Sequence, residues 1–257
     1  MHSPDELKSL AEQSLERLEF WPELHGQAES MRYAAVEMGG KRIRPVICLA
    51  VGEALGADAE RIMPAALALE LVHNFSLVHD DLPSLDDDAE RRGLASVWAA
   101  HGEGKAVLAG DGLLAEAFRL ACAYRGSAVA RELAEATLGM IGGQYLDTME
   151  PGADLELVHR LKTGRLFYAA VTLALEAAEV PAAQQRPWRE FAEELGLLFQ
   201  IVDDILDGDG YVLSQGPEAA RRLADEAADR AQARLAEIAA DTSVLEEIVD
   251  GLKMRTA

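Results

Sequence analysis

Aliphatic residues recur at helical spacing along nearly the whole chain, and short polar stretches rich in glycine, proline or aspartate separate the runs. No convincing alternation of apolar and polar residues, no repeat and no low-complexity linker interrupts this pattern. The pattern predicts an all-α fold: a single domain over residues 1–257, built as a bundle of about ten helices. Ser3, Pro4 and Glu6 form a capping box with proline at the first helical position, opening a helix that runs to about residue 18. A helix over about 27–38 is stopped by Gly39-Gly40, and the next, after Pro45, ends at about residue 55 before Gly56. A strongly apolar helix from about residue 62 carries Glu70, His73, Phe75 and Ser76, reaches Asp80 and Asp81 in its last turn, and is closed by Pro83. Two more helices cover about 102–124 and 127–149, the second containing Gly142-Gly143-Gln144. Each helix-interior glycine costs about 1 kcal/mol relative to alanine, so this pair predicts close packing or backbone approach to a ligand. Pro151-Gly152 breaks the chain and Asp154 caps a helix in which Lys162-Thr163-Gly164-Arg165 interrupts an aliphatic run, with Gly164 permitting a kink. A helix over about 187–207, a glycine-rich turn over 208–216, an amphipathic helix over about 217–240 and a short helix boxed by Ser243 and Glu246 complete the chain.

Charge narrows the partners. With 45 acidic residues against 24 Lys and Arg, the net charge of −21 argues against nucleic acid or an anionic membrane surface. An anionic substrate must then meet local cations or metal. Cys48 and Cys122 lie in apolar helical runs without ligand spacing, which predicts buried free thiols in a reducing compartment. No apolar run is read as a membrane span and no signal peptide is seen at the N-terminus, so the expected location is cytoplasmic.

The chemistry concentrates in three places. Residues 79–93, HDDLPSLDDDAERRG, crowd aspartates beside two arginines at the end of an apolar helix. Crowded carboxylates repel, and burying them is costly unless a cation neutralises them; a hard divalent ion with oxygen ligands is the natural partner. Alone, the stretch reads equally well as a solvated acidic loop. Residues 199–207, FQIVDDILD, repeat the idea, with Asp203, Asp204 and Asp207 at spacings that share one helix face. The two clusters suggest opposite walls of one pocket. Lys41, Arg42 and Arg44 around Gly39-Gly40 form a compact anion site or, alone, a solvated basic turn. His73, seven residues before Asp80, shares its face.

Seven motifs in order, GGKRIRP, HDDLPSLDDD, RRG, LAGD, GGQYLD, KTGRLF and FQIVDDILD, resemble those of the trans-isoprenyl diphosphate synthases, the farnesyl and geranylgeranyl diphosphate synthase family. The resemblance implies helices around a deep apolar cavity, a homodimer, and head-to-tail condensation of isopentenyl diphosphate with an allylic diphosphate. It implies a trio of Mg²⁺ ions held with diphosphate by Asp80, Asp81 and Asp86 on one wall and Asp203, Asp204 and Asp207 on the other. Lys162, Thr163 and Gln200 would lie along the allylic cation, and Arg91 with Lys162 would grip the allylic diphosphate. Lys41, Arg44, His73 and Arg92 match positions that bind isopentenyl diphosphate, and Gln144 and Phe199 join the substrate-binding set. Phe75, five residues before Asp80 and so about 7.5 Å along the helix, would limit chain length with Ser76 beside it. That implies a C15 product first, C20 second and C10 third.

Two departures accompany the resemblance. Ala95-Ser96-Val97-Trp98 replaces the Pro-Thr-x-His run common after RRG. The stretch 208–217 is short and holds no lysine or arginine, where family members have a longer lysine-bearing loop that closes the site. Rival readings are a class I terpene cyclase, a noncatalytic or partner-dependent subunit, and a di-iron carboxylate bundle using Glu70-x-x-His73 and Glu156-x-x-His159.

Overall fold

The computed structural model describes residues 1–150 and 152–255; Pro151, at the predicted chain break, lies outside them. Helix α1 (Pro4–Glu16) opens with the predicted capping box, Ser3 Oγ accepting from the Glu6 N–H while the Glu6 carboxylate accepts from the Ser3 N–H at 2.7 Å. Helix α2 (Gln27–Arg32) runs on through a wider π-helical turn, Tyr33–Glu37. Next come α3 (Ile43–Ala54) and α4 (Ala59–Asp80), around which the fold is assembled. Helix α4 is apolar on almost every side and buries Ile62, Leu69, Leu71 and Val72 completely, as expected of a helix surrounded by others. By length and composition it is apolar enough to cross a membrane, contrary to the expectation that no run would be, but 67% of its most apolar window is buried inside this fold.

A feature without a sequence signal follows. Strands β1 (Glu90–Arg91) and β2 (Leu94–Ala95) pair antiparallel, with Arg91 opposite Leu94. The two turn residues, Arg92 (φ +57°) and Gly93 (φ +78°), are both left-handed, the geometry that matches a two-residue hairpin to strand twist. Strands this short carry no alternation to read.

Helices α5 (Val97–His101), α6 (Glu103–Ala121) and α7 (Ala128–Met149) come next. The helix capped by Asp154 is divided into α8 (Leu155–His159), a π-helical turn Arg160–Gly164 and α9 (Arg165–Ala177), so the irregularity expected at Gly164 is spread over five residues. Helix α10 (Arg186–Asp207) packs on α9 and on α12 (Pro217–Ala236), and α13 (Ser243–Met254) closes the chain. The glycine-rich turn before α12 folds into a six-residue helix, α11 (Gly210–Gln215). The short α5, α8 and α11 bring the described α-helices to thirteen, where about ten were expected.

Two local expectations are corrected. Cys48 is buried, but Cys122, just past α6, is exposed. At α13 it is Thr242 Oγ1 that bonds Glu246 at 2.7 Å, while Ser243 turns back to Asp241.

Candidate active site

A cavity of about 480 Å³ opens between α4, α7 and the π-helical turn before α9. It gathers eight of the singled-out residues, Arg44, His73, Phe75, Ser76, Asp80, Gln144, Lys162 and Thr163, with Leu85, Met140 and Leu166 among its apolar lining. Helix α4 presents His73, Ser76 and Asp80 at intervals of three and four, one face of a helix. Neither side-chain polar atom of Gln144 has a hydrogen-bond partner. Gly143 lets α7 meet the π-helical turn backbone to backbone: a Cβ there would stand 2.2 Å from Lys162 N. That approach explains Gly143, though not Gly142, and brings Gln144 and Lys162 together.

Burial dominates the electrostatics. It raises Asp80 to about 6, with Lys162 pulling the other way and Asp86 and Asp81 adding to the rise. It lowers Arg44 to about 10, and it drives His73 well below its ordinary value, helped by the neighbouring arginines, so His73 is a neutral hydrogen-bonding group. The Arg44 guanidinium lies 4.6 Å over the Phe167 ring, a favourable placement for a partly desolvated cation. Lys162 is ion-paired with Asp147 on α7.

The remaining singled-out residues have separate partners. The hairpin aims Arg91 at Asp81, whose carboxylate accepts from Nε at 2.8 Å, while Arg92 donates to Gly39 O. Asp81 is held above its ordinary pKa chiefly by burial, with Arg91 opposing the rise. Asp86 is exposed. Arg42 departs from the expected anion site: it is 4% exposed, donates to Glu70 at 2.7 Å and to Ala35 O at 2.8 Å, and leaves Lys41 and Arg44 to serve a ligand. The same pairing occupies Glu70 and removes half of the di-iron pattern.

The second aspartate cluster does not line this cavity as an opposite wall. Asp203 is half-buried and raised, first by burial and then by Asp207, with Lys41 and Arg44 opposing. Asp207 is exposed and Asp204 buried. Gln200 donates to Asp204 and lines a second cavity of about 560 Å³ with His159, Arg160, Arg165 and Tyr211. Phe199 packs on Phe167 with ring centroids 4.1 Å apart. Among the described residues no three His, Cys, Asp or Glu side chains are preassembled around one point. The donors are nonetheless hard oxygens whose ionised form is costly without a cation, and they fit Mg²⁺, which typically takes one or two carboxylates and completes its shell with water and substrate phosphate.

A fold helical but for one short hairpin, whose apolar cavity carries a carboxylate, two cations and a neutral histidine, defines an enzyme for a substrate with an anionic head and an apolar tail. The chain belongs to the polyprenyl synthetase family, whose profile matches residues 27–221, and is a trans-prenyltransferase. It is 40% identical over 224 residues to the farnesyl diphosphate synthase of Geobacillus stearothermophilus, covering 80% of this chain and 74% of that one. It is 38% identical to the geranylgeranyl diphosphate synthase of Cyanophora paradoxa, covering 70% of this chain and 64% of that one. The crystal structure of geranyltranstransferase from Thermotoga maritima superposes with a TM-score of 0.87 at 28% identity, covering 99% of each chain.

Proposed function

We propose that this chain, folded as one domain, joins isopentenyl diphosphate head to tail to dimethylallyl or geranyl diphosphate and releases mainly C15 farnesyl diphosphate, with C20 as the minor product. The observation that carries the reading is the cavity in which Asp80, Lys162, Arg44 and neutral His73 converge with the unpaired amide of Gln144 and an apolar lining. Mg²⁺ supplies charge neutralisation that lets diphosphate leave. Asp80 and Asp86 from one cluster and Asp203 and Asp207 from the other would hold it. Arg91 and Lys162 orient the allylic diphosphate. Lys41, Arg44, His73 and Arg92 bind isopentenyl diphosphate, His73 accepting or donating hydrogen bonds without adding charge. Thr163 and Gln144 line the cavity that would hold the reacting carbons, whereas Gln200, expected along the allylic cation, is turned to Asp204 beside the second cavity, and the apolar walls exclude water.

A homodimer fits the surface. Leu138 on α7 and Val107 and Leu108 on neighbouring α6 are exposed apolar residues outside the cavity, whereas the exposed Ile141, Tyr145 and Met149 line it. Exposed apolar side chains on two adjacent helices suit a self-complementary partner.

The deciding experiment offers purified protein isopentenyl diphosphate with C5, C10 or C15 allylic diphosphate and reads chain length by mass spectrometry. Elongation that stops at C15 and disappears on chelation is expected. Folded protein that releases terpene hydrocarbon, or elongates nothing, replaces the synthase reading with the cyclase or the partner-dependent subunit.

Phe75 packs edge-on to His79 at 5.1 Å between centroids and lines the cavity. Phe75 stands about 7.5 Å along α4 from Asp80, so Phe75→Ala is expected to remove the floor at that depth, to admit a longer chain beyond it, and to make C20 or longer the main product. An unchanged product distribution removes Phe75 from chain-length control.

A further inference from the structure

Asp204 sits in the middle of the second aspartate run, yet it is 3% exposed and faces protein on both sides. Its Oδ1 accepts from Gln200 Nε2 at 2.6 Å and its Oδ2 from the Tyr211 N–H at 2.8 Å. Its backbone carbonyl accepts from Gly208 at 2.8 Å and Asp209 at 3.1 Å. The end of α10, the left-handed Gly208 and the first turn of α11 therefore converge on one residue. Gly210 completes the junction. It lies at φ +42°, and a Cβ there would stand 2.0 Å from Asp204 Oδ2, an approach that glycine alone permits. On the other side His159 Nδ1 lies 3.7 Å from Oδ2, and its ring tilts against Tyr211 at 5.5 Å.

A carboxylate turned toward a metal would have to give up these bonds. That would leave the Tyr211 N–H and the Gln200 amide buried without acceptors, and each such orphan is costly. We infer that Asp204 is a positioning residue: it fastens the short helix α11 to the end of α10 and so fixes the direction of Asp203 and Asp207, and it does not itself bind metal. The inference rests on the proposed synthase reading for the roles of Asp203 and Asp207, but the junction itself can be tested without activity.

The test compares Asp204→Asn, Asp204→Ala and Gly210→Ala in the full chain by two measurements: hydrogen exchange of the Tyr211 amide without ligands, and the Mg²⁺ concentration giving half-maximal condensation. Asparagine can keep both bonds, its oxygen accepting from Tyr211 and its NH₂ donating to Gln200 Oε1, which now has no partner. Asp204→Asn is therefore expected to hold both measurements within about threefold of the parent. Asp204→Ala and Gly210→Ala are each expected to speed Tyr211 exchange by about tenfold or more, and the double variant to be little worse than either, because both break one junction. Two results overturn the inference: an Asp204→Asn protein whose Mg²⁺ requirement rises about tenfold, as loss of a charged ligand predicts, or a Gly210→Ala protein with parental exchange. If no variant, parent included, condenses substrates, the synthase reading fails while the exchange data still decide the junction.

Discussion

At pH 8 Asp80→Asn is expected to melt about 2–4 °C above the parent protein, while its condensation rate falls about a thousandfold. Both effects come from one carboxylate. Burial raises Asp80 to about 6 from an ordinary 3.8. An acid whose folded pKa is raised contributes stability below its unfolded pKa, and that contribution is lost as pH rises through the folded one. Above pH 6 the ligand-free protein therefore carries an ionised group in a poor place. Raising the carboxyl from 3.8 to about 6 corresponds to at most about 3 kcal/mol, and water at the partly exposed group reduces this to about 1 kcal/mol. Asparagine removes the charge and recovers that amount. The same substitution withdraws a ligand that the diphosphate site requires, worth about 4 kcal/mol of transition-state stabilisation. Thermal melts from pH 8 down to pH 4 check the sign: the advantage of the variant should shrink as Asp80 of the parent becomes protonated. A variant less stable than the parent at pH 8 contradicts the electrostatic account, and one that retains parental activity removes Asp80 from the site.

The features legible in the sequence are those decided by neighbours along the chain. The Ser3 capping box, the Asp154 cap and the apolar run leading to Asp80 each depend on residues within about one or two helical turns, and all stand in the structure. The first half of the site was legible for the same reason, since His73, Ser76 and Asp80 share a face by helical spacing alone. Partners distant in sequence decided what was not. Arg42 reads like Lys41 and Arg44 until Glu70, 28 residues on, draws it inside. Asp204 reads like Asp203 until Gly210 and Tyr211 fold back against it. The hairpin that directs Arg91 to Asp81 consists of two residue pairs, too few to carry a period. Cys122 sits at the last turn of an apolar helix, where spacing does not reveal that the chain has already reached solvent.

Adjacent glycines on α7 offer the sharpest contrast between readings that sequence alone cannot separate. A Cβ on Gly142 would meet nothing within 4 Å, whereas one on Gly143 would stand 2.2 Å from Lys162 N and 2.7 Å from both Leu161 C and Lys162 Cα. The obstacles at Gly143 are all backbone, so no side-chain rotation relieves them and α7 must move away from the π-helical turn. Overpacking of this kind costs about 3 kcal/mol, against which alanine's better helix propensity returns only about 1 kcal/mol. Gly143→Ala is therefore expected to lower the melting temperature by several degrees, and to cut condensation at least about a hundredfold by shifting Lys162 and Thr163 relative to Asp80. Gly142→Ala gains the propensity term without the clash and should melt slightly higher, with little change in turnover. Equal behaviour of the two variants would show that α7 and the turn are not in backbone contact, and Lys162 would then need another means of being held in the cavity.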